Sequence, residues 1–149
     1  MSYQQPGRIW VVARTENGCE NLAREFITQT GATVYFPVET FRMVIRGKTR
    51  DKSRPVLRNY VLVNVEAHAG AWDAVRHSRG VAGVLTLCGS LEGIPAPIHP
   101  AKVAELQERE ASGEWDGISR WKDRKQATRA QRAVKLSDLG IAWREMEVA

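Results

Sequence analysis

The sequence predicts an α+β domain with the ferredoxin-like split βαβ sandwich, extended by a β-hairpin and a basic C-terminal tail. Two observations carry this prediction. Apolar runs rich in β-branched residues alternate with amphipathic helical segments in the order strand, helix, strand, strand, helix, strand. A length of 149 residues, 43% of them hydrophobic, accommodates one such domain and a short appendage.

The first βαβ half lies within residues 8–37. Residues 8–14 (RIWVVAR) have the composition of a buried strand. Asn17 is suited to cap the following helix, and Glu20, three residues later, would complete a capping box. Apolar residues then recur at helical spacing until Gly31 provides the stop, and residues 32–37 (ATVYFP) predict the second strand.

The middle of the chain adds a hairpin strand before the second half begins. Residues 42–46 (RMVIR) predict a third strand that ends in the polar stretch 47–55. Residues 59–66 (NYVLVNVE) form the clearest strand pattern in the chain, because their apolar positions are continuous and β-branched.

The second half continues with a helix, a strand and a trailing helix. Residues 71–78 (AWDAVRHS) predict a short helix, and residues 81–87 (VAGVLTL) predict the last strand. Pro100 suits a first helical position, so a final helix is expected over 100–110. Its inward-facing positions are Val103 and Leu106.

Hydrophobic periodicity weakens after residue 110, which sets the predicted domain boundary. We expect one domain over residues 1–110 and a basic tail over residues 111–149, either mobile or a single isolated helix, without a second core. Truncation after Glu110 is then expected to leave the melting temperature of the domain nearly unchanged.

Charge is distributed unevenly along the chain. The windows 42–58 and 119–135 each carry a net charge of +6, whereas the other residues sum to −7 and the whole chain to +5. Basic segments on an acidic body are typical of a protein that meets a polyanion, so DNA or RNA backbone is the expected partner. The alternative is solvated charge that only confers solubility. The expected nucleic-acid contacts are Arg42, Arg46, Lys48, Arg50, Lys52 and Arg54 in the first window, and Arg120, Lys122, Arg124, Lys125, Arg129 and Arg132 in the second.

No residue pattern predicts catalysis, a metal site or a cofactor. The segment 47–49 (GKT) imitates the end of a phosphate-binding loop, but Arg42 stands where that motif needs a glycine. The three histidines lack metal-ligand spacing and are expected at helix edges or in loops. Cys19 is expected to be a partly buried helix residue. Without a long apolar segment or a signal sequence, we expect a cytoplasmic protein that is not an enzyme and binds no membrane.

Five short motifs follow one another along the chain: residues 9–12 (IWVV) with 17–21 (NGCEN), 34–39 (VYFPVE), 60–63 (YVLV), 71–76 (AWDAVR) with 80–84 (GVAGV), and 95–98 (PAPI). In this order they resemble the amino-terminal (NGN) domain of the NusG family of transcription elongation factors. The resemblance covers about residues 8–110 and agrees with the topology predicted above.

The sequence departs from the family pattern in two places. The family's F-P-G before Y-V-L-V is replaced by Leu57-Arg58-Asn59, which changes the shape and charge of this surface. The family's KOW β-barrel is not expected in the 39 residues after residue 110, because they are few, basic and without a run of short strands. We therefore expect an effect on polymerase that requires neither the ribosome nor a termination factor.

The resemblance implies a non-enzymatic factor that binds RNA polymerase across its cleft, is monomeric when free, and modulates pausing or termination. An apolar concavity would dock the clamp helices of the large subunit, and the start of the second helix would approach the gate loop. The implied polymerase-binding residues are Trp10, Phe36, Leu57, Arg58, Asn59, Tyr60, Val84 and Leu85 for the clamp helices, and Ala71, Trp72 and Asp73 for the gate loop.

Alternatives stay open for residues and for function. Trp10 and Phe36 suit plain core packing equally well, and Trp72 could pack beneath its helix, whereas the hydroxyl of Tyr60 favours a partly wet docking position. A factor that competes with the host protein for polymerase would carry the same residues. A free-standing RNA-binding module is also compatible with the fold, although the sequence lacks the aromatic RNP strand.

Overall fold

The computed structural model describes residues 7–87, 93–116 and 146–148. Strands and helices in this part of the chain follow the predicted order, with an added hairpin and a short C-terminal strand. They are β1 (Arg8–Thr15), α1 (Glu20–Gln29), β2 (Thr33–Tyr35), β3 (Val38–Ile45), β4 (Lys48–Pro55), β5 (Tyr60–Glu66), α2 (Ala69–Arg76), β6 (Val81–Leu87), α3 (Pro100–Ala111) and β7 (Met146–Val148).

The main sheet has the strand order β2-β5-β1-β6-β7, with antiparallel neighbours. At its centre, β1 pairs with β5 from Arg8 opposite Glu66 to Arg14 opposite Tyr60. The units β1–α1–β2 and β5–α2–β6 each leave one strand of the other unit between their own two strands, which is the split βαβ arrangement. The predicted α+β fold of the ferredoxin-like type is therefore confirmed.

Alternation along the central strands sends successive side chains to two separate cores. On one face, Val11 and Val63 pack with Ile27 of α1 and Val75 of α2. The other face joins the sheet to α3 and the segments beside it. Its buried residues are Val12, Val56, Leu57, Leu62, Leu85, Ile98, Val103, Leu106 and Trp115.

The capping box predicted at the start of α1 is wrong. Cys19 is the N-cap residue and makes no side-chain capping bond. Glu20 is buried, and its carboxylate accepts a hydrogen bond from the backbone N–H of Asn59 at 2.8 Å. Asn17 accepts a bond from Arg58 at 3.4 Å. Because a carboxylate removed from water must be hydrogen-bonded, a donor distant in sequence replaces the local one.

Residues 38–55 form a two-stranded hairpin that is longer than the sequence predicted. β3 begins at Val38, and the polar stretch 47–55 contains β4. Arg46 and Gly47 form the turn with φ of 52° and 76°, and positive values at both positions are typical of a two-residue type I′ turn. The charged β4 has little strand propensity of its own and is held by its register with β3.

The core continues past the boundary predicted at residue 110. Trp115 is only 2% exposed and belongs to the core on the α3 side of the sheet. Gly113, with φ of 74°, turns the chain back after α3, and β7 pairs with the end of β6. A truncation after Glu110 would remove Trp115 from the core, so we no longer expect it to be harmless. Residues 117–145 of the predicted tail lie outside the described residues.

Two carboxylates at the end of α3 and just beyond it hold the base of the hairpin. Glu110 accepts hydrogen bonds from the Tyr35 hydroxyl at 3.1 Å and from the Val38 N–H at 3.0 Å. Asp116 accepts one from the N–H of Thr40 at 2.9 Å. Burial, with the neighbouring Glu110 carboxylate adding to it, raises the pKa of Tyr35. The hydroxyl therefore stays a donor, and the hairpin base is fixed to the end of α3.

Candidate functional site

The hairpin carries most of its cations on one face. β4 pairs residue by residue with β3, so alternation places Lys48, Arg50, Lys52 and Arg54 on the same side. Their backbone positions repeat about every 6.8 Å. The residues of β4 before Arg54 are all exposed. We call Lys48, Arg50 and Lys52, with Arg46 in the turn, the cationic face.

Two other predicted nucleic-acid contacts have different surroundings. Arg42 lies on the opposite face, 3.5 Å from Asp51, with both side chains largely exposed, so their ion pair contributes at most about 1 kcal/mol. Arg54 forms an ion pair with the buried carboxylate of Glu39 and lies over the Phe41 ring at 5.2 Å. Arg54 thus serves the packing of the hairpin base. Outside the described residues lie the six contacts predicted in the second window, Arg120, Lys122, Arg124, Lys125, Arg129 and Arg132.

Asn59 fixes the loop between β4 and β5. Its φ of 65° lies in the left-handed region, which asparagine adopts more readily than most non-glycine residues. Its N–H donates to Glu20 and its carbonyl accepts from the Thr15 N–H, both at 2.8 Å. Its side-chain oxygen accepts from the N–H of Gly18 at 3.3 Å. The loop is therefore bonded to the end of β1 and the start of α1.

We expect Asn59→Ala to lower the free energy of unfolding by about 1–2 kcal/mol, because alanine is strained at this positive φ. Asn59→Gly should be less destabilised than the alanine variant, because both lose the side-chain bond from Gly18 but glycine adopts the conformation without strain. Denaturant unfolding measures both variants, with Asn21→Ala on the exposed face of α1 as the control. Equal stability of the alanine and glycine variants would show that the conformation of residue 59 is not what holds this loop.

The predicted docking residues divide into buried and accessible sets. Phe36, Leu57, Val84 and Leu85 are at most 4% exposed and belong to the two cores. All four residues therefore pack in the core, which was one of the two interpretations considered for Phe36. We do not retain these four residues as direct docking contacts. The accessible set, which we call the docking residues, contains Trp10, Arg58, Asn59, Tyr60, Ala71, Trp72 and Asp73.

The docking residues lie at opposite ends of β5. Arg58, Asn59 and Tyr60 stand at its start, whereas α2, with Ala71 and its two neighbours, follows its end. Trp10, opposite Asn64, is also near that second end. Seven residues of β5 separate the two ends by about 20 Å. The structure therefore offers two contact regions on one rigid sheet.

Trp10 borders a shallow groove with a volume of about 360 Å³. Pro97, Ile98 and Pro100 form most of its apolar lining. The backbone of Trp10 is fixed there, since its carbonyl accepts the N–H of Ile98 at 2.8 Å. Trp10 is half-buried and packs against the α3-side core. Part of its side chain therefore serves the core, and the rest remains accessible.

One histidine caps the start of α2, and an ion pair joins its middle to its last residue. His68 is the N-cap, and its Nδ1 accepts the N–H of Ala71 at 3.1 Å. Arg76 donates to Asp73 at 2.6 Å and to the Gly93 carbonyl at 2.8 Å. The prediction that the histidines lie at helix edges is confirmed. His77 is the C-cap of α2, and His99 is the N-cap of α3.

Two structural features are absent from residues 7–87, 93–116 and 146–148. No group of three or more His, Cys, Asp or Glu side chains is placed to hold a metal ion there. None of the helices described combines the length and the hydrophobicity needed to cross a bilayer. What the described surface offers is an exposed row of cations and two regions of partly exposed aromatic and polar residues, which suit recognition of other macromolecules.

An antiparallel split βαβ sandwich with a cationic hairpin inserted between its halves defines an α+β domain of the ferredoxin-like class. Residues 8–107 match the family described as "Transcription termination factor nusG". Because this match spans more than half of the chain, the protein belongs to the NusG family. The resemblance noted in the sequence is thereby confirmed.

Two relatives illustrate how far the similarity extends. The transcription termination/antitermination protein NusG of Halalkalibacterium halodurans is 31% identical over 103 residues, which are 63% of this chain and 57% of that protein. A solved structure titled "Domain interaction in Thermotoga maritima NusG" has a TM-score of 0.50 at 17% identity, over 70% of this chain and 58% of that one, and supports the fold. The chain thus spans less than two thirds of the length of both relatives.

Sequence reasoning missed residues whose roles depend on distant contacts. Trp115, Glu39 and Glu20 are all buried. Trp115 and Glu39 stand in segments without apolar periodicity, and Glu20 was assigned to a local helix cap. One signal was available for the hairpin, because cations alternate at every second position of β4. That alternation would have predicted a strand with one charged face.

Proposed function

We propose that this protein is a non-enzymatic transcription elongation or antitermination factor that binds RNA polymerase across its cleft as a monomer and modulates pausing or termination in the cytoplasm. Membership of the NusG family carries this proposal. The clamp helices of polymerase would meet Arg58, Asn59 and Tyr60 at the start of β5, together with Trp10, which packs against the same α3-side core as Tyr60. The gate loop would meet the start of α2 at Ala71, Trp72 and Asp73.

The two contact regions suit a bridging role. Arg58, Asn59 and Tyr60 lie about 20 Å from the start of α2, at the two ends of β5, and Trp10 lies nearer the second end. The bonds of Asn59 to Glu20 and Thr15 keep the first region in place, and the cap by His68 keeps the second. A rigid body that touches both sides of a cleft opposes its opening. Its effect on the paused state is limited by the difference between its affinities for the two states.

The cationic face of the hairpin would contact nucleic acid near the polymerase. Lys48, Arg50 and Lys52 are exposed and share one side of the hairpin, with Arg46 at its end. Phosphate contacts by such side chains add affinity without sequence preference, because they release condensed counterions. The hairpin would therefore strengthen a complex that the docking residues position.

We expect Tyr60→Ala to weaken binding to purified core RNA polymerase by about 1–3 kcal/mol, the usual range for an aromatic anchor. Tyr60 is half-buried at the edge of the α3-side core, so its ring is accessible and still held in place. Binding would be measured by titration, with thermal melting as the test of folding. Phe26→Ala is the matched control, because it removes a half-buried aromatic from α1, where no docking residue lies.

Two outcomes would contradict parts of this proposal. Unchanged affinity of a natively melting Tyr60→Ala protein would remove Tyr60 from the docking surface. No binding of the native protein to polymerase, together with RNA binding, would favour a free-standing RNA-binding module. A pausing and terminator read-through assay then separates an elongation factor from an inhibitor, since an inhibitor acts only when a second NusG-family protein is present to be displaced.

A further inference from the structure

Each face of the hairpin end carries one exposed apolar residue, and the one on the cationic face, Ile45, lies opposite Lys48. Val44 is 55% exposed and Ile45 is 37% exposed. They are consecutive residues at the end of β3, so alternation directs them to opposite faces, immediately before the turn at Arg46 and Gly47. Exposed apolar side chains on both sides of one turn, beside a row of cations, suit a wedge that is surrounded on both sides.

We propose that the hairpin end inserts into duplex DNA at a locally mispaired or unstacked step, with Val44 and Ile45 against the bases. In this arrangement, the cationic face follows the phosphates beside the inserted end. The inference deepens the nucleic-acid contact of the proposed function and rests on it. It adds the chemical class of the ligand, a distorted duplex, and the two side chains that recognise it.

The dimensions of the hairpin suit insertion. The two-residue turn keeps the end of the hairpin as narrow as a two-stranded ribbon can be. A two-stranded ribbon with its side chains fits the major groove, which is about 12 Å wide, whereas the minor groove of about 6 Å admits it only where the duplex is opened. Minor-groove proteins commonly wedge apolar side chains, isoleucine among them, between base steps. The exposed outer residues of β4 give the arm about 20 Å of reach from its base.

Arg46 adds a second observation at the same place. Its φ of 52° is a left-handed conformation that asparagine or glycine adopts at lower cost. The turn therefore bears a strained residue that carries charge to the outermost point of the arm. A residue chosen only for the turn would not carry this charge, whereas a residue that meets phosphate at the mouth of a groove would.

Other occupants fit the hairpin end less well. A lipid surface would gain only two short aliphatic side chains, which is less than the single acyl chain that gives marginal membrane binding. A second copy of this chain would bring another row of like charges, and exposed lysines on an edge strand oppose pairing between edges. Nucleic acid satisfies both the charge and the apolar end.

Insertion predicts a preference for DNA that is already distorted, because unstacking a step costs a few kcal/mol and a mismatched step needs less. The test uses the full chain with three DNA ligands of equal length: a fully paired duplex, the same duplex with two central mismatches, and one single strand. We expect the native protein to bind the mismatched duplex about tenfold more tightly than the paired one. A 2-aminopurine beside the mismatch should brighten on binding as it loses its stacking.

The decisive variant is Val44→Thr with Ile45→Thr, which keeps the β-branched shape and the strand propensity while making the end polar. We expect its preference for mismatched DNA to fall to within about twofold, with the salt dependence of binding unchanged. Thr49→Ser, opposite Val44 in the register, is the matched control and should keep the preference. Arg46→Asn should melt at the same or a higher temperature, yet bind the mismatched duplex several-fold more weakly.

Each contrary result overturns the inference. The native protein could bind paired and mismatched duplex equally, or could bind the single strand more tightly than either. The double threonine variant could keep the preference for mismatched DNA. Finally, the native protein could bind anionic vesicles and the double threonine variant could lose that binding. Polymerase binding is measured separately on the same proteins. Its loss would defeat the proposed function alone, whereas intact polymerase binding without any mismatch preference would defeat the insertion alone.

Discussion

Trp115→Ala is expected to lower the free energy of unfolding by about 3–5 kcal/mol, the range for truncating a fully buried aromatic residue. The indole is 2% exposed and contacts a core that also contains Val12, Leu62 and Leu106. Arg109 lies over its ring at 5.1 Å and is held by an ion pair with Glu114 at 2.6 Å. Denaturant unfolding, followed by circular dichroism, measures the loss.

Three further variants separate the role of the ring from the role of the chain end. The Trp115 Nε1–H is buried without a hydrogen-bond partner among the described residues, so Trp115→Phe removes an unsatisfied donor and should cost much less than alanine. A chain ended after Ala111 should be destabilised at least as strongly as Trp115→Ala, because it also loses Asp116 and β7. A chain ended after Gly117 keeps Trp115 and Asp116 and should lose less. If all these proteins melt together, Trp115 is not part of the core and the boundary lies at residue 110.

Trp115 also shows where sequence reasoning reaches its limit. The order of strands and helices was predictable, because periods of 2 and 3.6 residues are properties of local sequence. Trp115 follows a glycine turn and has no periodic neighbours, so only the packed structure reveals that it returns to the sheet. Glu20 is similar, because the local cap predicted for it gave way to a bond with Asn59.

The candidate site was predictable in its composition and not in its accessibility. An apolar strand residue such as Val84 or Leu85 faces one side of the sheet. The sequence alone does not show whether another element covers that side. Charge was easier to assign, since Lys48, Arg50 and Lys52 are exposed as expected. Arg54 is less exposed than these three cations, because it forms an ion pair with Glu39, its partner in the register. The carboxylate of Glu39 is buried and therefore needs a charged partner.

Replacing Lys48, Arg50 and Lys52 by alanine together is expected to give the largest functional loss in the isolated protein. Each phosphate contact on duplex DNA contributes about 0.9 to the slope of log affinity against log salt, so three lost contacts lower the slope by about 2.7. If the native protein and the variant bind DNA equally at 1 M salt, this difference in slope makes the affinity of the variant several hundredfold lower at about 0.1 M. Sequence preference should not change, because phosphates carry no base information.

The matched control removes the same charge from other surfaces. Arg14, Arg79 and Lys102 are exposed and lie outside the hairpin, so their triple alanine variant has the same net charge as the hairpin variant. Net charge alone acts on both proteins equally, whereas phosphate contact acts only through the cationic face. DNA affinity would be measured from about 0.05 to 0.5 M salt. If log affinity falls with log salt at the same slope for both variants, the hairpin cations only confer solubility. A smaller slope for the hairpin variant alone would show that these cations contact DNA phosphates.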